Sequence, residues 1–163
     1  MARTEHAMGR TDALPNLGRT DALLCRVHES VCALPLEHVV EVMRPLPVEA
    51  LSGAPPFVAG LARIRGLAVP VVDLGRLITG VDVQDATRFV TVRSAGRVVA
   101  LEVDAVVGIA PLSGALSELP PLFHDDGGPI AALGDRDRAL LLVLSTARLV
   151  PPEVAPSLVG GMA

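Results

Sequence analysis

The stretch FVAGLARIRGLAVPVVDLGRLITG, residues 57–80, is almost wholly apolar, yet Arg63 and Arg65 stand one residue apart at its centre with glycines on either side. Read as a strand over residues 61–66, it points Ala62 and Ile64 to one face and both arginines to the other, about 7 Å apart. Gly60 and Gly66 bound that strand and allow another backbone to approach closely. LAVPVV, residues 67–72, is apolar on both faces and is expected to be enclosed, with Pro70, which has no N–H, at an edge or a bulge. Asp73 precedes LGRLI and is placed to cap a short helix. The arginines therefore surface immediately beside the core. Two readings compete for them. One is a solvated face whose arginine stems cover apolar neighbours. The other is a docking site, where a planar guanidinium pairs with carboxylates.

The same alternation of short apolar runs and turn signals extends outward in both directions. LLCRV (23–27) and VCALPL (31–36) flank HES, and VVEVM (39–43) follows. LPVEALSGAPP (46–56) is a Pro/Gly-rich connector. TRFVTVR (87–93) and RVVALEV (97–103) flank SAG and read as a hairpin, with Gly96 supplying the positive φ of its turn. VVGIA (106–110), PIAAL (129–133) and ALLLVL (139–144) complete the set. Many short strands rich in Val and Leu predict an all-β barrel or sandwich. One faint echo stands out. Val71-Val72-Asp73-Leu74-Gly75-Arg76-Leu77 is similar to Val143-Leu144-Ser145-Thr146-Ala147-Arg148-Leu149, with Ser145 in the capping place of Asp73. It is consistent with two similar β units in one chain, and equally with chance among common residues.

Length and composition bound the function. With 163 residues the chain suits one domain, or two very small ones sharing a core. Residues 1–20 read as a flexible polar tail, 21–150 as the folded domain and 151–163 as a Pro/Gly-rich tail. Half of the residues are hydrophobic and mean hydropathy is +0.50, which excludes a disordered chain. No apolar run approaches the ~20 residues of a spanning helix, and the N-terminus has no secretory apolar region, so a cytoplasmic protein without membrane insertion is expected. A net charge of −4, dispersed basic residues, three Phe and no Trp or Tyr argue against nucleic-acid binding. Cys25 and Cys32 can face each other across a tight turn at His28–Glu29 and are expected to be inert core thiols.

Little in the sequence assembles a catalytic site. Asp73-Leu74-Gly75 is similar to the Asp-Thr/Ser-Gly loop of aspartic proteases, and a dimeric hydrolase using Asp73 is the remote enzymatic alternative. Leu74, however, replaces the hydroxyl residue. His6, His28, His38 and His124 show no ligand spacing; His6 and His28 read as solvated. The loop from His124 to Gly128 lacks the oxygen spacing of a calcium site. No nucleophile elbow or phosphate loop is present, so no cofactor, no metal and no catalysis are expected.

The central stretch resembles the CheW family of chemotaxis coupling proteins, whose pattern is close to G-[VI]-x-N-L-R-G-x-x-[IV]-P-[VI]-[VI]-D-L. Here it runs from Gly60 to Leu74. Upstream, Ala33 to Val42 is similar to the family's strand ending in V-x-E-I, and Pro47, Pro55, Pro56 and Phe57 fit its proline-rich approach. Downstream, Val99 to Val106 is similar to the run ending in V-D-x-V, and Leu140 to Leu144 to the last strand. The resemblance covers about residues 22–150, in order. It implies two five-stranded SH3-like β-barrels sharing a core, with a few short helices. It also implies a non-catalytic adaptor in two-component signalling, linking chemoreceptor cytoplasmic tips to the regulatory domain of the histidine kinase CheA in membrane-associated arrays. The site residues it implies are Val39, Glu41, Arg63 and Arg65 for the receptor, and Leu67 and Ala68 for the kinase. Three positions depart from the family pattern: Arg63 stands where Asn is usual, Ala68 where a larger apolar residue is common, and Ser145 where Asp is frequent. A related regulator of surface motility or development is the alternative within the same fold. A CheV-type adaptor would need a receiver domain for which this length leaves no room.

Overall fold

Two-residue turns set the strand registers. In the computed structural model, which describes residues 21–112, 128–136, 139–146 and 149, β1 (Asp21–Val27) returns as β2 (Ser30–Pro35) through His28 and Glu29. β4 (Val58–Ile64) returns as β5 (Leu67–Asp73) through Arg65 and Gly66, and β6 (Arg88–Ser94) as β7 (Arg97–Val103) through Ala95 and Gly96. Arg65 and Gly66 have φ of 51° and 81°, and Ala95 and Gly96 of 51° and 79°, the paired positive values that a type I′ turn requires. A 3-10 turn (Leu36–His38) leads into β3 (Val39–Met43), and α1 (Leu74–Thr79) follows β5. β8 (Ala105–Pro111), β9 (Ile130–Arg136) and β10 (Ala139–Leu144) complete the described elements.

The strands form two five-stranded sheets, ordered β8-β1-β2-β10-β9 and β3-β6-β7-β5-β4, the two SH3-like barrels of the expected all-β fold. Written in these orders, they match strand for strand. In each, one inner pair is parallel, β2 with β10 and β5 with β7, and the other ladders are antiparallel. Even the bulges match. Val40 of β3 and Val107 of β8 are each left without a partner, as are Ala59 of β4 and Ala131 of β9. Val71 lies opposite Ala100 just as Val143 lies opposite Ala33. The echo between residues 71–77 and 143–149 thus falls on equivalent strands in equivalent register. The second barrel is one continuous run of chain, β3 to β7. The first is built from both ends, β1 and β2 with β8 to β10.

Three apolar clusters hold this arrangement. Ala22, Leu24, Ala33, Ala132, Leu141 and Val143 belong to the first barrel's own cluster. Ala62, Ile64, Val69, Val71, Phe89 and Ala100 belong to the second's. Between the sheets, Leu23, Cys25, Val27, Cys32 and Leu34 join Val72, Val90, Val92, Val99, Leu101 and Val103. Strands such as β1 and β7 are therefore buried on both faces, which is why their sequences read as unbroken apolar runs. Each barrel's own cluster includes alanines, Ala22, Ala33 and Ala132 in the first and Ala62 and Ala100 in the second.

Three local expectations change in the structure. The strand expected over residues 61–66 ends at Ile64, and Arg65 turns the corner instead. The left-handed pair at Arg65 and Gly66 breaks the alternation, so Arg63 and Arg65 are not successive outward residues of one strand. Leu67 and Ala68, expected to be enclosed, are exposed, and burial begins at Val69. His28, expected to be solvated, reaches across the barrels: its Nε2 lies 2.9 Å from the Val81 carbonyl oxygen, while its backbone N–H donates to Asp104. A methyl group on Gly75 would crowd that imidazole, at 2.9 Å from Nε2. Pro70 is where its chemistry allows, since the ladder from β5 to β7 begins only at Val71.

Cys25 and Cys32 are Cα partners in the β1–β2 ladder and are both free and buried. Burial pushes both thiols up to about 12, and Cys32 adds a further upward push on Cys25. Thiolate is the reactive form, so neither is expected to react with a disulfide thiol reagent at pH 8 in native buffer. Both should react together once denaturant unfolds the chain. Fast labelling of either thiol in the native protein would contradict this packing.

Candidate functional site

The residues singled out from the sequence come from two places in the second barrel, β3 and the β4–β5 hairpin. These lie at opposite edges of their sheet. Arg65 spans the gap. From its turn position it donates from Nε to Glu41 Oε1 at 2.9 Å and from a terminal nitrogen to Oε2 at 2.7 Å. The two parallel bonds form a bidentate fork, the strongest geometry an arginine and a carboxylate adopt. Glu41 itself is fixed from behind. The buried Thr91 hydroxyl accepts from the Glu41 N–H at 3.1 Å and donates to its carbonyl at 3.3 Å. The guanidinium hydrogen bond holds the Glu41 carboxyl below its usual range, and the carboxylate raises the Arg65 pKa in turn. The Arg65 side chain nevertheless remains 77% exposed, against 25% for Glu41. The pair is a surface feature with one well-held half.

Arg63 is placed differently. It is the Cα partner of Ala68 across the β4–β5 ladder, and both are exposed. Leu67, beside Ala68, is 66% exposed. The structure thus brings Arg65 to Glu41 and Arg63 to Ala68, dividing the predicted receptor residues between two neighbourhoods. Val39 is half-buried and packs against the layer between the barrels. The exposed apolar residues of β3 are instead Val40 and Val42. Their equivalents in the first barrel, Val107 and Ile109 of β8, are exposed as well. Sequence reasoning singled out none of these four, nor Thr91. For Thr91 a signal exists, a lone hydroxyl residue between two valines of a buried strand.

The hydrolase alternative fails on geometry. Asp73 is 7% exposed and caps α1, with Oδ1 accepting from the Arg76 N–H at 2.9 Å. Both its oxygens also accept from the Val83 N–H, at 3.2 and 3.1 Å. Glu102 is its Cα partner in β7, and burial, then Asp73 and Asp82, push that carboxyl up. A carboxylate whose lone pairs already serve backbone donors is a structural cap, as predicted for α1. The cap expected at Ser145 would serve residues 147 and 148, which, like the loop around His124 at residues 113–127 and the two tails, lie outside the described residues. Among the described residues no group of three His, Cys, Asp or Glu side chains is placed to hold a metal, and no helix is long and apolar enough to cross a membrane.

Comparison with known proteins agrees with this architecture. The family model for the CheW-like domain matches residues 21–153. Among solved structures, the fold is similar to the scaffolding protein TtCheW from Thermoanaerobacter tengcongensis, with a TM-score of 0.68 and 21% identity over 78% of this chain and 89% of that one. No curated protein matches the sequence significantly.

Proposed function

Because the chain belongs to the CheW-like domain family, we propose that it is a non-catalytic cytoplasmic scaffold that couples chemoreceptors to the histidine kinase CheA. The working unit is residues 21–150, recruited to receptor arrays by contact with the receptors' cytoplasmic tips. The observation that carries this reading is the Glu41–Arg65 pair on the rim of the second barrel. It presents a half-satisfied guanidinium to solvent, and Val40 and Val42 of the same β3 strand are exposed. An exposed cation with apolar neighbours is the composition of an interface anchor. We assign receptor contact to Arg65, Glu41 and the β3 strand that begins at Val39. The kinase regulatory domain is assigned to Leu67 and Ala68, where an exposed leucine offers apolar area for burial. Signal then passes through a rigid double barrel, with no covalent step.

Arg65→Glu is expected to weaken binding to a receptor cytoplasmic fragment by about tenfold or more. Its circular dichroism and melting curve should stay close to wild type, because an exposed ion pair contributes little to stability. The swap Glu41→Arg with Arg65→Glu rebuilds the ion pair with its polarity reversed. It should restore any lost stability and leave receptor binding weak. Binding of Arg65→Glu at wild-type affinity would remove the assignment.

A further inference from the structure

Arg65 is already engaged. Two of its donors are taken by Glu41, so its charge is partly balanced within the chain while its other donors stay open. The side chain of Arg63, two residues earlier, enters no hydrogen bond or ion pair among the described residues. Even Glu49, exposed on the segment bridged to Leu61, makes no ion pair with it. Around Arg63 the hairpin's outward face is apolar. By strand alternation, Leu61 and its partner Pro70, both half-buried, share that face with Ala68; Leu67, opposite Ile64, begins the other face and is exposed at the hairpin tip next to Ala68. The small Ala68 leaves room beside it for the arginine stem, since directly opposed residues of an antiparallel pair have Cβ atoms only about 5 Å apart. Arg63 and Ala68 are also two of the positions that depart from the family pattern, and the ladder makes them one cross-strand pair.

That juxtaposition constrains whatever covers the face. A protein surface seated on Leu67 and Ala68 removes water from Arg63 too. A guanidinium buried without an anion is strongly unfavourable, whereas one that finds a hydrogen-bonded carboxylate is not. We infer that the partner surface docking on Leu67 and Ala68 carries an Asp or Glu side chain that pairs with Arg63, so that Arg63 determines which kinase regulatory domain this chain accepts. The inference rests on the scaffold reading above and moves Arg63 from the receptor contact to the kinase contact.

The test uses the full chain, a purified regulatory domain of the histidine kinase from the same genome, and a receptor cytoplasmic fragment. Affinities are measured for wild type, Arg63→Ala, Arg63→Glu and Leu67→Asp. Arg63→Glu is expected to weaken kinase-domain binding by about tenfold or more, Arg63→Ala by less, and both to flatten its salt dependence. Receptor-fragment binding should not change. Melting curves of both Arg63 variants should match wild type, since the side chain is exposed and has no ion pair or hydrogen bond among the described residues. If Leu67→Asp abolishes kinase-domain binding while Arg63→Glu leaves it intact, the docking face stands and the role of Arg63 is overturned. Loss of receptor binding alone in Arg63→Glu overturns it equally. If the folded wild-type chain does not bind the kinase domain at all, the scaffold reading falls first and this inference with it.

Discussion

Phe89→Ala is expected to lower the unfolding free energy by about 3–5 kcal/mol, the largest loss from any single side-chain truncation in the second barrel. Phe89 is 1% exposed and shares its cluster with Ala62, Ile64, Val69, Val71 and Ala100. It is the bulkiest member of that cluster, and the others are alanines and β-branched residues held on paired strands. Such a wall has little freedom to collapse into the space a ring leaves, so the cavity persists and adds to the lost burial. Denaturant titration checks the value. The midpoint should fall with an unchanged slope, because the layer between the barrels ties both into one transition. A loss below about 1 kcal/mol would mean that the ring does not fill this interior.

Gly60→Ala is expected to be nearly as damaging, for a backbone reason. Gly60 has φ of 148°, and a Cβ there would lie 1.9 Å from the Glu49 carbonyl oxygen. That carbonyl accepts from the Leu61 N–H at 2.8 Å, and Glu49 N–H donates back to Leu61 at 2.8 Å. Relieving the clash means separating the two backbones and losing both bonds, at about 1 kcal/mol each, on top of about 1–3 kcal/mol of dihedral strain. A loss of about 4 kcal/mol follows from the sum of these terms. Gly108 provides the control. Its φ is 153°, but an added Cβ would meet nothing within 4 Å. Gly108→Ala should show the strain alone, about 1–3 kcal/mol. Equal losses at the two glycines would show that the close approach of Glu49 carries no weight.

Much of the fold was legible because its signals are local. The apolar runs VVEVM and ALLLVL are β3 and β10 without adjustment. Asp73 caps α1 through an N–H three residues on, a relation visible in any sequence window. The opposed cysteines followed from counting back from a two-residue turn. What was lost depended on distance or on a disguised turn. Asn-Gly or Asp-Gly announces a type I′ hairpin, and Arg65-Gly66 does not, so a turn was read as the end of a strand. His28 looked solvated because its acceptor, the Val81 carbonyl, belongs to the other barrel. Val40 and Val42 were hidden in an apolar run that looks buried on both faces, whereas β3 is an edge strand. The candidate site was legible as a set of residue types. Its pairings were not: Arg65 with Glu41 depends on which strand edges meet, and Arg63 with Ala68 on the register set by the disguised turn at Arg65-Gly66.

The mixed parentage of the first barrel bears on how the protein is born. As the chain leaves the ribosome, β1 and β2 emerge first, yet the strand that lies beside β2, with Leu141 opposite Val31, is the last described one to appear. The leading hairpin must wait, its Ala22, Leu24 and Ala33 side uncovered, while β3 to β7 have all their strands in hand and close without help from either end. Synthesis therefore finishes the second barrel before the first, and an interruption anywhere in β8 to β10 strands the residues made at the start.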